Sequence, residues 1–261
     1  MSRSEAGQTF AGQVALVTGG SDGIGLATAR LLLERGAIVA ICGRRQEKLD
    51  EAVAELAPLG TFEAHRLDVS DEAAFTALIQ DIAKRHGRFD MLVNNAMSVH
   101  YAPLTRLSTE HWRKDFAVNA EAVFVGTREA MKIMMAAGRG AIVNVSSTTG
   151  IKAAPYMASY SASKAALTHF TACAAMEGAP ANVRVNAIVP GQVMTAATAD
   201  WAEKAGDAAA RTMAAIPMQR GGAPRELAEA IVFLLSDAAS YVTGVALPVD
   251  GGKAAQLYIP S

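Results

Sequence analysis

Tyr160 and Lys164 have the side chains in this sequence best suited to moving a proton. They lie four positions apart in the helical pattern Tyr160-Ser161-Ala162-Ser163-Lys164, so they share one helix face. A tyrosine is a poor base at its ordinary pKa of about 10. A lysine cation nearby stabilises the phenolate and lowers that value. The pair is a candidate general acid–base unit, although the spacing alone also fits an ordinary surface pair.

Two further polar residues strengthen this interpretation. Ser147 follows the predicted strand segment Ile142-Val143-Asn144-Val145-Ser146. Asn119 lies in the helical segment 116–120, and the pair Asn94-Asn95 closes another predicted strand. With these partners, an ordinary surface pair is a poorer explanation of the Tyr160–Lys164 spacing.

The N-terminal third contains a pattern typical of phosphate binding. The first predicted strand ends in Thr18-Gly19-Gly20-Ser21-Asp22-Gly23-Ile24-Gly25, and a helix follows directly. Glycines let the backbone approach a pyrophosphate, and the helix N-terminus presents free N–H groups. A lone glycine run also fits an ordinary turn, but a dinucleotide site requires this strand, turn and helix context.

The end of the second predicted strand distinguishes between the two nicotinamide dinucleotides. An acid there would hydrogen-bond the ribose diol of NAD, whereas this chain has Gly43 followed by Arg44 and Arg45. A guanidinium can hold a 2′-phosphate through charge-assisted bonds. The sequence therefore favours NADP(H) over NAD(H). Asp22 counts against this preference because it places negative charge near the same phosphate.

Short apolar runs alternate with helical patterns along the chain. Such runs, rich in Val and Ile and without alternation, are typical of parallel strands covered on both faces. The five clear strands and two weaker ones are predicted at Gln13–Thr18, Ile38–Cys42, Met91–Asn94, Ala141–Val145 and Val183–Val189, with Phe62–Leu67 and Val245–Val249. The pattern predicts an α/β fold: one Rossmann-like, doubly wound parallel sheet of about seven strands with helices on both faces.

The predicted helices carry recognisable ends. One is expected to begin with Ser70 as its N-cap and to stop at Gly87, and another to open at Pro224. Two long helices are expected at 109–137 and 159–178. We expect residues 1–10 to form a flexible arm, residues 11–261 to form a single dinucleotide-binding and catalytic domain, and residues 194–218 to form a small substrate lid.

Taken together, these motifs resemble the short-chain dehydrogenase/reductase family over about residues 12–252. The resemblance implies a catalytic tetrad of Asn119, Ser147, Tyr160 and Lys164. Ser147 would bind the substrate oxygen, and Tyr160 would donate or accept its proton. Lys164 would lower the pKa of the tyrosine and bond the nicotinamide ribose, and Asn119 would hold a relay water. The reaction implied is hydride transfer between the nicotinamide and a carbonyl or alcohol carbon.

The cofactor contacts implied by the resemblance lie at several strand ends. Asp68 would contact the adenine, Asn95 would lie beside the adenosine ribose, and Val193 and Thr195 would bind the carboxamide. The full predicted set is Gly19, Ser21, Asp22, Ile24, Gly25, Arg44, Asp68, Val69, Asn95, Tyr160, Lys164, Pro190, Gly191, Val193 and Thr195. Taken singly, Asp68 also fits a turn acid, and Thr195 also fits a helix cap.

Substrate is expected beyond the carboxyl ends of the strands, where ligands of open α/β sheets bind. Met97 stands where the family usually has glycine, so we expect a reshaped pocket. The predicted lining is apolar and adaptable, which favours a hydrophobic ketone or secondary alcohol. Its residues are Met97, Tyr156, Met157, Met194 and Trp201.

Composition limits the partners. The formal net charge is -1, which does not suggest a nucleic-acid-binding surface. The longest apolar runs are too short to span a bilayer, so no membrane contact is expected. The five histidines are scattered, so no metal site is expected. The two cysteines are interpreted as buried structural thiols in a cytoplasmic protein.

A homotetramer is expected, because the two long helices are apolar on more than one face. The residues behind this expectation are Phe116, Val123, Val125, Ile133 and Met134 in the first helix, Ala165, Leu167, Phe170 and Ala174 in the second, and the apolar tail 256–260.

Three alternatives remain open at this point. A nucleotide-binding protein without turnover is disfavoured by the complete tetrad. A 3-ketoacyl-thioester reductase would need a basic patch for its carrier, to which Arg128, Lys132 and Arg139 could contribute. An NAD(H)-dependent alcohol dehydrogenase is the third.

Overall fold

The computed structural model describes residues 9–256. Within these residues, seven strands form one sheet, and every pairing in it is parallel. The strands are β1 (Val14–Thr18), β2 (Ile38–Gly43), β3 (Phe62–Arg66), β4 (Met91–Asn94), β5 (Gly140–Val145), β6 (Val183–Pro190) and β7 (Ala246–Val249). Each predicted strand is found with its ends within one residue, including the two weaker ones.

The strand order is β3-β2-β1-β4-β5-β6-β7. The chain therefore builds outward from β1 in one direction and then crosses to build outward in the other. The point of reversal lies between β1 and β4, and in such sheets it opens a crevice at the carboxyl ends of the strands.

Nine α-helices connect and cover the strands of the described chain. They are α1 (Gly23–Glu34), α2 (Gln46–Leu56), α3 (Glu72–His86), α4 (Thr109–Phe116), α5 (Ala122–Ala137), α6 (Ala158–Gly178), α7 (Ala196–Ala205), α8 (Asp207–Ala214) and α9 (Pro224–Leu235). The Rossmann-like doubly wound fold is confirmed.

Each face of the sheet has its own apolar layer. Val17 of β1 packs with α1 and α9 residues such as Leu32 and Ile231. Leu16, the neighbour of Val17, points to the other face and packs with Phe75 of α3 and Val125 of α5. Strands buried on both faces leave no polar side of the sheet, which explains why the central strands read as unbroken apolar runs.

The predicted helix 109–137 is present, but it contains a π-helical turn at Ala117–Glu121 between α4 and α5. Such a turn inserts one residue into the helical repeat and often occurs at functional sites. Here it carries Asn119, whose side chain is fully buried. The α6 helix matches its predicted span to one residue.

Three expectations need correction. Asp71 rather than Ser70 is the N-cap of α3, and its carboxylate accepts a hydrogen bond from the Ala74 N–H at 3.0 Å. Ser70 does not cap the helix because its hydroxyl donates to the Asp68 carboxylate. Phe10, placed in the flexible arm, is buried in the core. Cys173 is exposed, whereas Cys42 is buried as expected.

No helix within residues 9–256 combines the length and the apolar content that crossing a bilayer requires.

Candidate active site

Four polar residues gather at the carboxyl ends of the central strands. Ser147 follows β5, Tyr160 and Lys164 lie on consecutive turns of α6, and Asn119 lies in the π-helical turn. All four are buried. A phenol, a hydroxyl and an ammonium sheltered from water can act on a substrate oxygen far more strongly than the same groups in solvent.

Burial dominates the protonation of the two central groups. It raises the pKa of Tyr160 to about 12, although a hydrogen bond with Ser147 lowers that pKa in part. Burial also lowers the pKa of Lys164 to about 7. In the free protein, desolvation is the largest cause of the pKa shift of both groups. The lowering of the tyrosine pKa by Lys164, which the resemblance implies, stays a prediction.

Lys164 is held in a fixed position. Its Nζ donates to the carbonyl of Val145 at 2.7 Å and lies 5.8 Å from the centroid of the Tyr160 ring. An ammonium has three donors, so two remain for a ligand beside Tyr160.

The lowered pKa of Lys164 has a measurable consequence for stability. Between pH 7 and the ordinary lysine value of 10.5, the unfolded chain binds a proton that the folded chain has lost. The contribution of Lys164 to the free energy of unfolding therefore rises with pH across this window. We expect the free energy of unfolding of wild type minus that of Lys164→Met, measured by urea denaturation without nucleotide, to rise between about pH 7 and about pH 10. A difference that stays flat would contradict the buried, neutral lysine.

The side chain of Asn119 is already engaged. Its Nδ2 donates to the Ser98 carbonyl at 2.7 Å and to the Ser163 hydroxyl at 3.0 Å, and its Oδ1 accepts from the Ser98 N–H at 3.0 Å. Both amide donors are used. A relay water at Asn119 therefore has to bind Oδ1 or the main chain instead.

A cleft of about 360 Å³ opens over the point where the strand order reverses, and none of the four tetrad residues, including the predicted cofactor residues Tyr160 and Lys164, is part of its lining. Nine of the predicted cofactor residues line it: Gly19, Ser21, Asp22, Ile24, Arg44, Asp68, Val69, Asn95 and Thr195. Gly23, Cys42, Gly43, Arg45, Leu67, Ala96, Met97 and Val118 complete the lining. The cleft follows the strand ends of β1, β2, β3 and β4, as an extended dinucleotide would.

Gly25 is needed for the shape of this cleft, although it does not line it. A Cβ at this position would lie 2.3 Å from the Gly19 carbonyl oxygen and 2.5 Å from Asn95 Nδ2. Asn95 Nδ2 in turn donates to the carbonyls of Thr18 and Gly19, at 3.0 and 3.1 Å. Helix α1 can therefore approach the glycine loop only where a side chain is missing, as nucleotide binding requires.

Two ion pairs occupy the end of the cleft that follows β2. Arg44 Nη1 lies 3.7 Å from Asp68 Oδ2, and Arg45 Nη2 lies 3.0 Å from Asp22 Oδ2. All four side chains are substantially exposed, and exposed pairs contribute only about 0.2–1 kcal/mol. Both arginines can therefore exchange their partners for a bound anion at little cost.

Four of the predicted cofactor residues lie at the end of β6 or in the segment after it. Pro190 ends the strand, Gly191 packs closely against Asp250, and Val193 forms a bridge with Gly222. Thr195 borders the cleft and also caps α7, through a reciprocal pair of hydrogen bonds with Thr198. The two interpretations of Thr195 are therefore compatible.

Of the predicted substrate residues, Met97 lines the cleft, whereas Tyr156, Met157, Met194 and Trp201 lie outside its lining. Met97, Tyr156, Met194 and Trp201 are exposed. The Tyr156 carbonyl accepts from the Ala102 N–H at 2.9 Å, which joins the loop after β4 to the segment before α6.

Sequence reasoning missed one buried acid near the site. Asp115 of α4 is fully buried and bonded to residues of two other segments. Its position four residues before Asn119, on the same helix face, was the available signal.

The chain is similar to proteins of known activity over nearly its whole length. A family model described as enoyl-(acyl carrier protein) reductase matches residues 19–254. The cis-4-hydroxycyclohexanecarboxylate dehydrogenase of Sinomonas cyclohexanicum is 43% identical over 251 residues, covering 95% of this chain and 99% of that relative. The 3-oxoacyl-(acyl-carrier-protein) reductase FabG of Thermotoga maritima is 39% identical over 242 residues, covering 92% and 97%. The chain belongs to the short-chain dehydrogenase/reductase family.

A solved structure of NAD+-bound xylitol dehydrogenase has the same fold, with a TM-score of 0.88 and 32% identity, covering 94% of this chain and 100% of that one. As a member of the family, the chain is an oxidoreductase acting on CH–OH or C=O groups, and the family uses NAD(P)(H).

Proposed function

We propose that this dehydrogenase/reductase interconverts a hydrophobic ketone and its secondary alcohol with NADP(H), using Tyr160 as the general acid–base. The observation that best supports this proposal is that the buried Tyr160 phenol lies beside the Ser147 hydroxyl, with Lys164 one helical turn away. These groups lie at the same edge of the sheet as the cleft, the edge formed by the carboxyl ends of the strands.

The chain's own residues account for binding and proton transfer. The Ser147 hydroxyl and the Tyr160 phenol hold the substrate oxygen, and Tyr160 gives it a proton in reduction or takes one in oxidation. A bound nicotinamide dinucleotide would supply or accept the hydride. The Nζ donors of Lys164 that are not used by the Val145 carbonyl would bind its ribose hydroxyls. When Lys164 is protonated, its charge favours the phenolate that oxidation requires.

The substrate class follows from the lining of the site. Met97 lines the cleft, Met194 and Trp201 are exposed apolar residues of the predicted substrate site, and thioethers adapt to irregular rings. A relative with 43% identity acts, by its name, on a hydroxycyclohexane carboxylate. Alicyclic secondary alcohols and ketones are therefore the substrates to test first.

The cofactor preference rests on Arg44. Gly43 leaves no acid at the end of β2 for a ribose diol, and the weak Arg44–Asp68 pair can give way to a phosphate dianion. Arg44→Asp should lower kcat/KM with NADP(H) by about tenfold or more, while activity with NAD(H) holds or rises. Initial rates with both nucleotides decide this, and Arg113→Asp on the exposed face of α4 is the charge-matched control.

NAD(H) dependence is the alternative outcome of that assay. It is favoured by the negative charge of Asp22 beside Arg45 and by the NAD+ in the xylitol dehydrogenase structure. A wild type that already prefers NAD(H) would show that Arg44 does not select the cofactor.

The ketoacyl-thioester alternative has the Thermotoga maritima relative in its favour. The three cations suggested for carrier docking are, however, paired within the chain. Arg128 contacts Glu72 and Glu129, Lys132 contacts Glu129, and Arg139 contacts Asp90. Neutralised cations give a poor docking surface for an acidic carrier, so we place this function second.

We also propose a homotetramer in the cytoplasm. Of the residues behind the tetramer expectation, Val123, Val125, Met134, Leu167 and Ala174 are buried within the chain, and the tail beyond residue 256 lies outside the described residues. The exposed apolar surface comes instead from Trp112, Phe124, Met135 and Met176. Phe124 packs edge-on against Phe170, with 6.1 Å between ring centroids. The cytoplasmic location remains a prediction from the sequence.

Phe124→Glu should break the assembly, because a charge buried between subunits is costly. We expect light scattering to report a tetramer for wild type and a smaller species for the variant. Val53→Glu on α2 replaces a similarly exposed apolar residue and should leave the tetramer intact. A wild-type monomer at working concentration would overturn this assignment.

A further inference from the structure

The carboxylate of Asp115 lies at the meeting point of three segments around the candidate site. Its Oδ1 accepts from the Ser98 hydroxyl at 2.8 Å and contacts Nδ1 of His100 at 2.7 Å. Its Oδ2 accepts from the Ser159 hydroxyl at 2.6 Å. The side chain is completely buried. We call Asp115 with Ser98, His100 and Ser159 the Asp115 cluster.

A buried carboxylate is costly unless it is fully hydrogen-bonded. Asp115 has three partners, so the cluster holds the carboxylate in one orientation. Since an ionised carboxylate can only accept, His100 must carry its proton on Nδ1. The ring also stacks on His111, with centroids 4.1 Å apart, so its orientation is fixed from two sides.

The cluster connects to two of the four tetrad residues. Ser159 immediately precedes Tyr160 in the first turn of α6. Ser98 exchanges two main-chain hydrogen bonds with the Asn119 side chain, at 3.0 and 2.7 Å. His100 and Ser98 belong to the loop after β4, which also carries Met97 and Tyr101. One carboxylate therefore joins the Tyr160 turn, the Asn119 turn and the loop facing the substrate.

We propose that Asp115 is a positioning residue for the reaction, holding the Tyr160 turn of α6 in register with the loop 97–101, and that His100 completes this function. The proposal rests on the proposed role of Tyr160 as the general acid–base. It assigns a function to a residue outside the tetrad, through hydrogen bonds to Ser159 and Ser98 and not through contact with substrate.

Asp115 also acts on Tyr160 through its charge. Burial is the main cause of the raised pKa of Tyr160, and the charges of Tyr101 and Asp115 raise it further. The ionisable groups around the cluster are His100 and Tyr101 on the loop, His111 on α4 and Tyr160 on α6. Removing the charge of Asp115 should favour the phenolate.

Asp115→Asn tests both effects, because it keeps the shape, removes the charge and replaces one of the two acceptor oxygens of the cluster by an N–H donor. In alcohol oxidation, kcat/KM rises with pH as the tyrosine deprotonates. We expect this limb to move to lower pH by about half a unit or more, and kcat at saturating substrate to fall about tenfold as the loop and helix lose register. Glu110→Gln removes an exposed charge from the same helix and should change neither quantity.

Two substitutions of His100 test the positioning separately. His100→Asn keeps a donor near the place of Nδ1, whereas His100→Leu removes it. We expect His100→Leu to lower kcat about fivefold or more and His100→Asn to recover most of that loss. Thermal unfolding of each variant is measured in parallel, and this pair decides the question if Asp115→Asn does not fold.

A folded Asp115→Asn with the wild-type pH profile and kcat would overturn the proposal, as would equal activities of His100→Leu and wild type. Failure of the proposed function looks different. In that case Tyr160→Phe would keep its activity, whatever the Asp115 variant does.

Discussion

Replacing Tyr160 by phenylalanine should lower kcat/KM by about 10²- to 10⁴-fold, the range expected when a general acid–base is removed. The phenol oxygen lies in a buried site beside Ser147, and no second acid of comparable placement is found in the tetrad. The aromatic ring remains, so the packing of α6 should survive. Steady-state rates with an alicyclic ketone and each reduced nucleotide give the measurement.

Nucleotide affinity and melting temperature should stay close to the wild-type values in Tyr160→Phe, because the cleft does not depend on the phenol oxygen. Tyr241→Phe is the matched control, since Tyr241 is fully exposed on the surface and its phenol has no part in the proposed reaction. A folded Tyr160→Phe protein with most of its activity would refute the assignment of the proton donor.

Gly25→Ala should nearly abolish nucleotide binding, with a rise in Kd of about a hundredfold or more. The added Cβ would lie 2.3 Å from the Gly19 carbonyl oxygen. This is too close for a carbon and an oxygen that are not bonded, so α1 and the glycine loop would have to move apart. The loop must move, and the N–H groups that it presents to a pyrophosphate move with it. Titration of the nucleotide by calorimetry measures the loss.

Gly60→Ala is the control for this substitution. Its Cβ would meet only Leu33 Cδ2, at 3.4 Å, far from the cleft. We expect Gly60→Ala to bind nucleotide like wild type. Unchanged affinity in a folded Gly25→Ala protein would mean that the loop does not hold the pyrophosphate.

The fold was predictable because its signals are local and repeated. Each buried parallel strand reads as a short apolar run, so even the weak candidate β7 (Ala246–Val249) was located to within one residue. Alternation with helical patterns then leaves few topologies. The errors concern the exposure of two residues, Phe10 and Cys173, and one helix end. The N-cap of α3 moved from Ser70 to Asp71, because a hydroxyl can bond either a helix N–H or a neighbouring carboxylate, and sequence does not show which.

The residues of the candidate site that belong to a sequence motif could be predicted. The properties that depend on how the side chains pack could not. Tyr160, Lys164 and Ser147 were recognisable from their order along the chain. The protonation of Tyr160 and Lys164 was not, because it depends on how deeply both side chains are buried. Asp115 was missed, because an acid in a helix normally faces solvent. Only the fold shows that this one points into the protein.

Hydride transfer itself can be followed with a nicotinamide cofactor that carries deuterium at both hydrogen positions of C4 of the reduced ring. Purified wild type is incubated with this cofactor, as the NADPH and the NADH form in separate reactions, and with a cyclohexanone or cyclopentanone substrate. The product alcohol is then analysed by mass spectrometry and NMR. Our account predicts one deuterium on the carbinol carbon, faster transfer from the NADPH form, and little product with Tyr160→Phe. Alcohol formed without deuterium at that carbon would contradict it.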